Sequence, residues 1–186
     1  MQVRYLTTEE IEDELADVLA SPRDRGKLHA IVIRPAGDQR ELREAVYLSP
    51  EGGVEGDRWA NVNGKLDADE NSDARAQQVS LMNARLLRLI SGEEDRMALA
   101  GDNLIVDFDL SEANLPVGQK LAVGEALLQV SDHPHTGCGK FSERFGPDAV
   151  RFINAKERRP LRLRGLYARV LQAGNVRVGD VVHKVD

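Results

Sequence analysis

The sequence predicts a mainly β domain with a few helices, a barrel or sandwich rather than a doubly wound sheet. Three observations lead there. Seven short runs rich in β-branched residues recur along the chain. Gly118, Gly124, Gly165, Gly174 and Gly179 separate the later runs at turn-like spacing. Only a few segments carry a helical period, too few to alternate with the strands as a parallel sheet requires.

The elements follow in chain order. Thr7 and Glu10 have the spacing of a capping box, each able to satisfy a free N–H at a helix start. Ile11, Leu15, Val18 and Leu19 then fall on one face of the same helix, which Ser21-Pro22 and Gly26 close. Residues 1–26 therefore read as a helical extension and 27–186 as the β domain. Strands are predicted at LHAIVIRP (28–35), AVYL (45–48), NLIV (103–106), KLAV (120–123), ALLQVS (126–131), LYARVL (166–171) and DVVHKV (180–185). A helix is predicted over 80–90, with Leu81, Leu86, Leu89 and Ile90 near one stripe. A second is predicted over 146–154, with Pro147 at the first helical position, where its missing N–H costs nothing.

Bulk properties narrow the function. The chain has 186 residues, 41% hydrophobic and 30% charged, enough to bury a core without disulfides or metals. A formal charge of −6 argues against bulk attraction to nucleic acid or anionic lipid. One cysteine, Cys138, cannot form an internal disulfide. The acidic N-terminus does not read as a signal peptide, and no apolar run approaches the ~20 residues of a membrane span. A cytoplasmic protein with no membrane and no nucleic-acid partner is expected.

The densest chemistry lies in SDHPHTGCGKFSERFG (131–146), read as a loop between a strand and a helix. Gly137 and Gly139 flank Cys138 and let a ligand approach the backbone closely. Lys140, Arg144 and His135 are expected to favour the thiolate by opposite charge, the form that attacks or binds metal. The alternatives are a small buried hydrophobe, a zinc site from His133, His135 and Cys138, and a Cys–His nucleophile without an orienting third group. A second cluster, EGGVEGDRWANVNG (51–64), is a polar turn in which Arg58 offers a forked donor to a phosphate. DADENSD (67–73) has Ser72 where a calcium loop needs glycine and Gln78 where it needs glutamate, so it reads as a solvated acidic turn. The basic run KERRPLRLRG (156–165) reads as a solvated turn, or as one that points Arg162 or Arg164 into a cleft to hold one or two phosphates.

Gly-Val-Glu-Gly-Asp-Arg (53–58), Gln-Val-Ser-Leu-Met-Asn (78–83), Gly-Asp-Asn-Leu (101–104), Leu-Pro-Val-Gly (115–118), Gly-Glu-Ala-Leu-Leu-Gln-Val (124–130), the cysteine loop and Arg-Gly-Leu-Tyr-Ala-Arg-Val-Leu (164–171) follow one another in an order that resembles the MOSC family. That family takes its name from the C-terminal domain of molybdenum cofactor sulfurase. The resemblance spans roughly 27–185 and implies a mixed β-barrel related to the barrel domain of pyruvate kinase. It implies that Cys138 is the catalytic residue, as a persulfide carrier or a molybdenum ligand. It further implies that Gly56, Asp57, Arg58, Asn103 and Arg164, with His135 and Lys140 of the cysteine loop, bind the molybdenum cofactor. Sulfur transfer to the cofactor and molybdenum-dependent reduction are the activities implied, although the Lys-x-His-Gly-Gly stretch of reductase-like members is missing. Pyridoxal phosphate enters only at family level. The chain has no lysine motif for it, so a desulfurase would be a separate partner, as would a molybdoenzyme. A non-catalytic module that binds the cofactor or another phosphorylated small molecule is the alternative.

Overall fold

The computed structural model describes residues 4–62 and 74–186, so the acidic turn at 67–73 lies outside the described residues. In chain order the strands are β1 (Gly26–Ile33), β2 (Glu41–Arg43), β3 (Ala45–Ser49), β4 (Gly53–Val54), β5 (Val79–Asn83), β6 (Leu104–Asp107), β7 (Lys120–Val123), β8 (Ala126–Val130), β9 (Leu166–Gln172), β10 (Gly174–Arg177) and β11 (Val181–Val185). The helices are α1 (Thr8–Asp13), α2 (Leu15–Leu19), α3 (Ala84–Ser91), α4 (Gly139–Phe145) and α5 (Pro147–Asn154). Seven strands close a mixed barrel in the order β1-β11-β7-β8-β9-β5-β6, with β6 returning to β1. Every barrel pairing is antiparallel except β5–β6, whose parallel partners are joined through α3. Strand β2 extends the sheet beyond β1, and β10, β3 and β4 form a small second sheet.

Strand alternation builds two apolar layers from the same wall. Ile31, Leu81, Leu104 and Val106 belong to the cluster that also takes residues of β7, β8, β9 and β11, the barrel interior. Their neighbours Val32, Met82 and Ile105 belong to a second cluster with Ile11, Leu86, Phe141, Phe145 and Phe152 of the helices. Successive side chains of a strand point to opposite faces, so β1, β5 and β6 supply both clusters and bind them into one unit. Ile11, Leu15 and Val18 are buried there, which packs the N-terminal helices onto the barrel wall.

The structure corrects the sequence reading at several elements. The helix expected over 80–90 begins as a barrel strand. All five residues of β5 are buried, Ser80 and Asn83 included, and a strand buried on both faces lacks the apolar-in, polar-out alternation that identifies strands. The helix starts only at Ala84, because the Asn83 side chain accepts from Arg85 N and Leu86 N at 2.9 and 3.0 Å. At the N-terminus the capping box forms as expected, but the helix breaks at Glu14 and Leu19 turns to solvent. The cysteine loop is shorter than expected, since α4 begins directly after Cys138.

Candidate functional site

Pairing register gathers the site residues at one end of the barrel. Leu104 pairs with both Ile31 and Leu81, Leu81 with Leu166, and Val130 with Ala168. The exit of β1, the segment before β6, the exit of β8 and the segment before β9 therefore meet. Gly165 makes the last approach possible. Its φ is +99°, and a Cβ there would lie 2.0 Å from Leu81 O.

Two buried carboxylates organise this end. Asp57 accepts from Arg34 Nε at 2.9 Å and Nη2 at 3.0 Å, from Asn103 Nδ2 at 3.0 Å, and from Trp59 N at 2.9 Å, where it caps a 3-10 turn over 58–61. Burial alone would raise its pKa, but Arg34 and the backbone donors hold it below the usual carboxylate range. Asn103 completes the lattice. Its Oδ1 accepts from Ser80 N and Oγ, and its Nδ2 also reaches Val32 O at 3.3 Å.

The second carboxylate, Asp102, accepts from Arg164 Nη1 at 2.6 Å and lies 2.7 Å from His135 Nε2. Burial pushes Asp102 up, yet Arg164 and His135 outweigh it and hold the carboxyl at about 2. Burial lowers the pKa of His135, and the opposing pull of Asp102 does not reverse this. This favours the neutral imidazole, which stacks on Tyr167 at 4.1 Å between ring centroids. The expectation that His135 would favour a thiolate by positive charge is thereby corrected. Asp102 orients His135 through Nε2, which also lies 3.0 Å from Arg164 Nη1. The phenol of Tyr167 is raised by burial first, with Asp102 and Cys138 adding to the effect and Arg164 and Arg34 opposing it.

Around this frame lies a cationic rim. Burial, then repulsion from Arg144, Arg34 and Arg58, lowers the pKa of Arg40. Lys140 Nζ donates to Asp38 at 2.7 Å, and Arg144 Nη2 lies 3.5 Å from the same oxygen. Lys140 and Arg144 were expected to favour the Cys138 thiolate; Lys140 instead bonds Asp38, which reaches over from the loop after β1, and Arg144 donates from Nη1 to Leu99 O at 2.8 Å. Arg58 has no ion-pair partner among the described residues, and with Arg34, Trp59, Gln77 and Tyr167 it lines a cleft of about 110 Å³.

Cys138 is exposed on this rim, two residues before Lys140. The residue before it is held at both backbone groups: Gly137 N donates to Asn154 Oδ1, and Asn154 Nδ2 donates to Gly137 O, each at 2.9 Å. The buried-hydrophobe alternative for Cys138 is excluded by this exposure. Among the described residues no three histidine, cysteine or acidic side chains cluster to hold a metal ion, so the zinc arrangement of His133, His135 and Cys138 does not form.

The structure thus places Asp57 and Asn103 in one buried network and His135 and Arg164 in another, with Cys138, Arg58 and Lys140 exposed. Gly56 shapes the turn at φ +79°, where a Cβ would lie 2.9 Å from Ile33 Cδ1. Asp57 and Asn103 are almost wholly buried with their polar atoms bonded within the protein, so they orient Arg34 rather than face a ligand. Sequence reasoning missed Arg34, Asp38, Arg40, Asp102, Asn154 and Tyr167. For Asp102 a signal existed, because Gly-Asp-Asn repeats the pattern of Gly-Asp-Arg.

Fold and site together define a closed mixed β-barrel domain that presents a single thiol beside a cationic rim. The MOSC domain family model matches residues 68–183. The chain belongs to the MOSC domain family. Among solved structures it is similar to the YuaD protein from Bacillus subtilis, with a TM-score of 0.61 and 18% identity over 87% of this chain and 97% of that one. It is also similar to YiiM from Geobacillus stearothermophilus (TM-score 0.55, 17% identity, 87% and 75% covered). YiiM from Escherichia coli follows (TM-score 0.52, 20% identity, 86% and 70% covered). At these identities the likeness is one of fold. No curated protein matches the chain.

Proposed function

We propose that this domain serves the molybdenum cofactor through Cys138, as a persulfide carrier or as a molybdenum ligand. The observation that carries the reading is an exposed thiol beside a cluster of cations, Arg34, Arg40, Arg58, Lys140 and Arg144, whose carboxylate neighbours among the described residues are Asp38, Asp57 and Asp102. The donor set fits the group. A thiolate is a soft ligand suited to molybdenum or sulfane sulfur, and the unpaired fork of Arg58 suits a phosphate. When bound, the cofactor supplies its metal centre and its pterin phosphate. Cys138 would hold the first, and Arg58 with Lys140 the second.

As a carrier, Cys138 takes sulfur from the persulfide of a separate desulfurase. Its thiolate attacks the terminal sulfur, a new S–S bond forms, and the donor S–S bond breaks to leave the donor cysteine as thiolate. No oxidant is consumed. The Asn154 clamp on Gly137 fixes the chain that bears the thiol.

The test is metal, pterin and sulfane-sulfur analysis of the protein purified from a host that makes the cofactor, beside Cys138→Ser. Molybdenum or sulfane sulfur retained by the wild type and lost from the variant supports the reading. Pterin retained equally by both makes the domain a binding module without chemistry at Cys138. Absence of all three from the wild type rejects a cofactor role.

A further inference from the structure

The proposed role leaves unused a chamber of about 680 Å³ beside the cysteine segment, within the size range of small-molecule sites. It is lined by 131–136, by Asn154 and by the turn over 159–166, and it shares no lining residue with the cleft at Arg34 and Arg58. We infer that this chamber is a second binding site, for a small molecule whose carboxylate or phosphate is received by Arg162 and Arg159. The inference stands apart from the molybdenum reading.

Arg162 is the main observation. Its φ of +47° lies in the left-handed region that residues other than glycine rarely adopt, and its half-buried side chain lines the chamber. One of its nitrogens donates to Leu115 O, and no carboxylate lies within ion-pair distance among the described residues. Burial lowers its pKa, with Glu112 opposing from further away. A partly desolvated cation without a contacting counter-ion is unfavourable, and a bound oxyanion relieves it. Arg159 stands on the same turn, where Arg162 N donates to its carbonyl at 3.0 Å, and has no ion-pair partner among the described residues.

The remaining charges select the ligand. Glu112 and Asp132 also line the chamber, and Arg164 is committed to Asp102, so the formal charge is balanced rather than strongly positive. That suits one oxyanion group at the arginine end, not a polyanion. Asn154 links the chamber to the thiol, since the same amide lines the cavity and clamps Gly137.

The test is an NMR chemical-shift titration of the full chain with inorganic phosphate and, separately, with malonate. Wild type should saturate with at least one of the two anions, with shifts at the Asn154 side-chain amide and Gly137. Arg162→Gln should weaken the affinity on the order of tenfold or more, the loss expected for one charge-assisted hydrogen bond. Arg162→Lys should recover part of it. Arg159→Gln, an exposed change, should weaken it as well and keeps the test open if Arg162→Gln fails to fold. The double variant Arg58→Gln/Lys140→Gln should bind at Asn154 as wild type does, whatever becomes of the cofactor. Tighter malonate or tighter phosphate each supports the site and names its oxyanion. No saturation at Asn154, or affinity lost in the Arg58/Lys140 variant but unchanged in both arginine variants of the chamber, overturns it.

Discussion

Replacing Asp102 by Asn removes the negative charge that neutralises Arg164 at the buried end of the barrel. The Asp102 side chain is 1% exposed and that of Arg164 10%, so water cannot take over. The carboxyl moves from 3.8 to about 2 on folding, which corresponds to roughly 2 kcal/mol. Stripping a buried cation of its partner costs about 3–5 kcal/mol. A loss near 3 kcal/mol is expected, and for a domain of this size that lowers the melting temperature by roughly 6–12 °C. Urea unfolding would measure it, with an unchanged denaturant slope showing that the unfolding transition itself is the same. The companion variant Asp102→Leu/Arg164→Met buries neither charge and should recover much of the loss. The pH dependence has a definite sign. A folded carboxyl held below its unfolded value stabilises above about pH 4, and that contribution fades as pH falls toward 2. Asp102→Asn should lose the Asp102 part of this dependence. An Asp102→Asn protein within 1 kcal/mol of wild type, or a double variant as unstable as the two single changes added, would refute the reasoning.

Three further outcomes are expected. The folded pKa of His135 lies below its ordinary 6.5, so the unfolded chain takes up the proton first and stability falls as pH drops below about 6.5. His135→Gln should flatten the melting temperature between pH 7 and 5, and an undiminished slope in the variant would count against a buried neutral imidazole. Gly165→Ala combines a φ of +99° with a Cβ 2.0 Å from Leu81 O, and should cost more than about 2 kcal/mol by chemical denaturation; an unchanged midpoint would mean that β5 and β9 do not meet there. Cys138 is exposed, so iodoacetamide should modify it in the folded protein, while Cys138→Ser leaves stability within about 0.5 kcal/mol. A thiol that reacts only in urea would reject its place on the rim.

The barrel was legible because its strands are short, β-branched and separated by glycines, a pattern local in sequence. β5 was not, since it is buried on both faces with Ser80 and Asn83 among its residues, and Leu81 and Met82 point into different clusters. The site was legible where a motif marks a backbone need, as at Gly56 and Gly137. It was illegible where function depends on charges brought together by the fold. Nothing local ties Arg34 to Asp57, or Asp38 to Lys140, because those partners lie 23 and 102 residues apart. Asn154 was hidden for the same reason: an asparagine at a helix end usually caps, whereas here its amide mimics a neighbouring strand for Gly137.

Asp57 and Asp102 solve the same problem in the same way, and the parallel explains why the rim keeps its charge. Each follows a glycine at positive φ, +79° at Gly56 and +78° at Gly101, and each turns inward to neutralise one arginine from another segment. Arg34 and Arg164 are thereby bound into the fold, and Asn103 and His135 lock the carboxylates that hold them. Arg58, Arg40 and Lys140 lie outside this lattice, with the exposed Asp38 as the nearby carboxylate. Ion pairs open to water contribute little to stability, so these cations are free to serve a ligand. The division makes the two roles separable: changes at Asp57 or Asp102 should act on folding, and changes at Arg58 or Lys140 should act on cofactor affinity while the melting temperature holds.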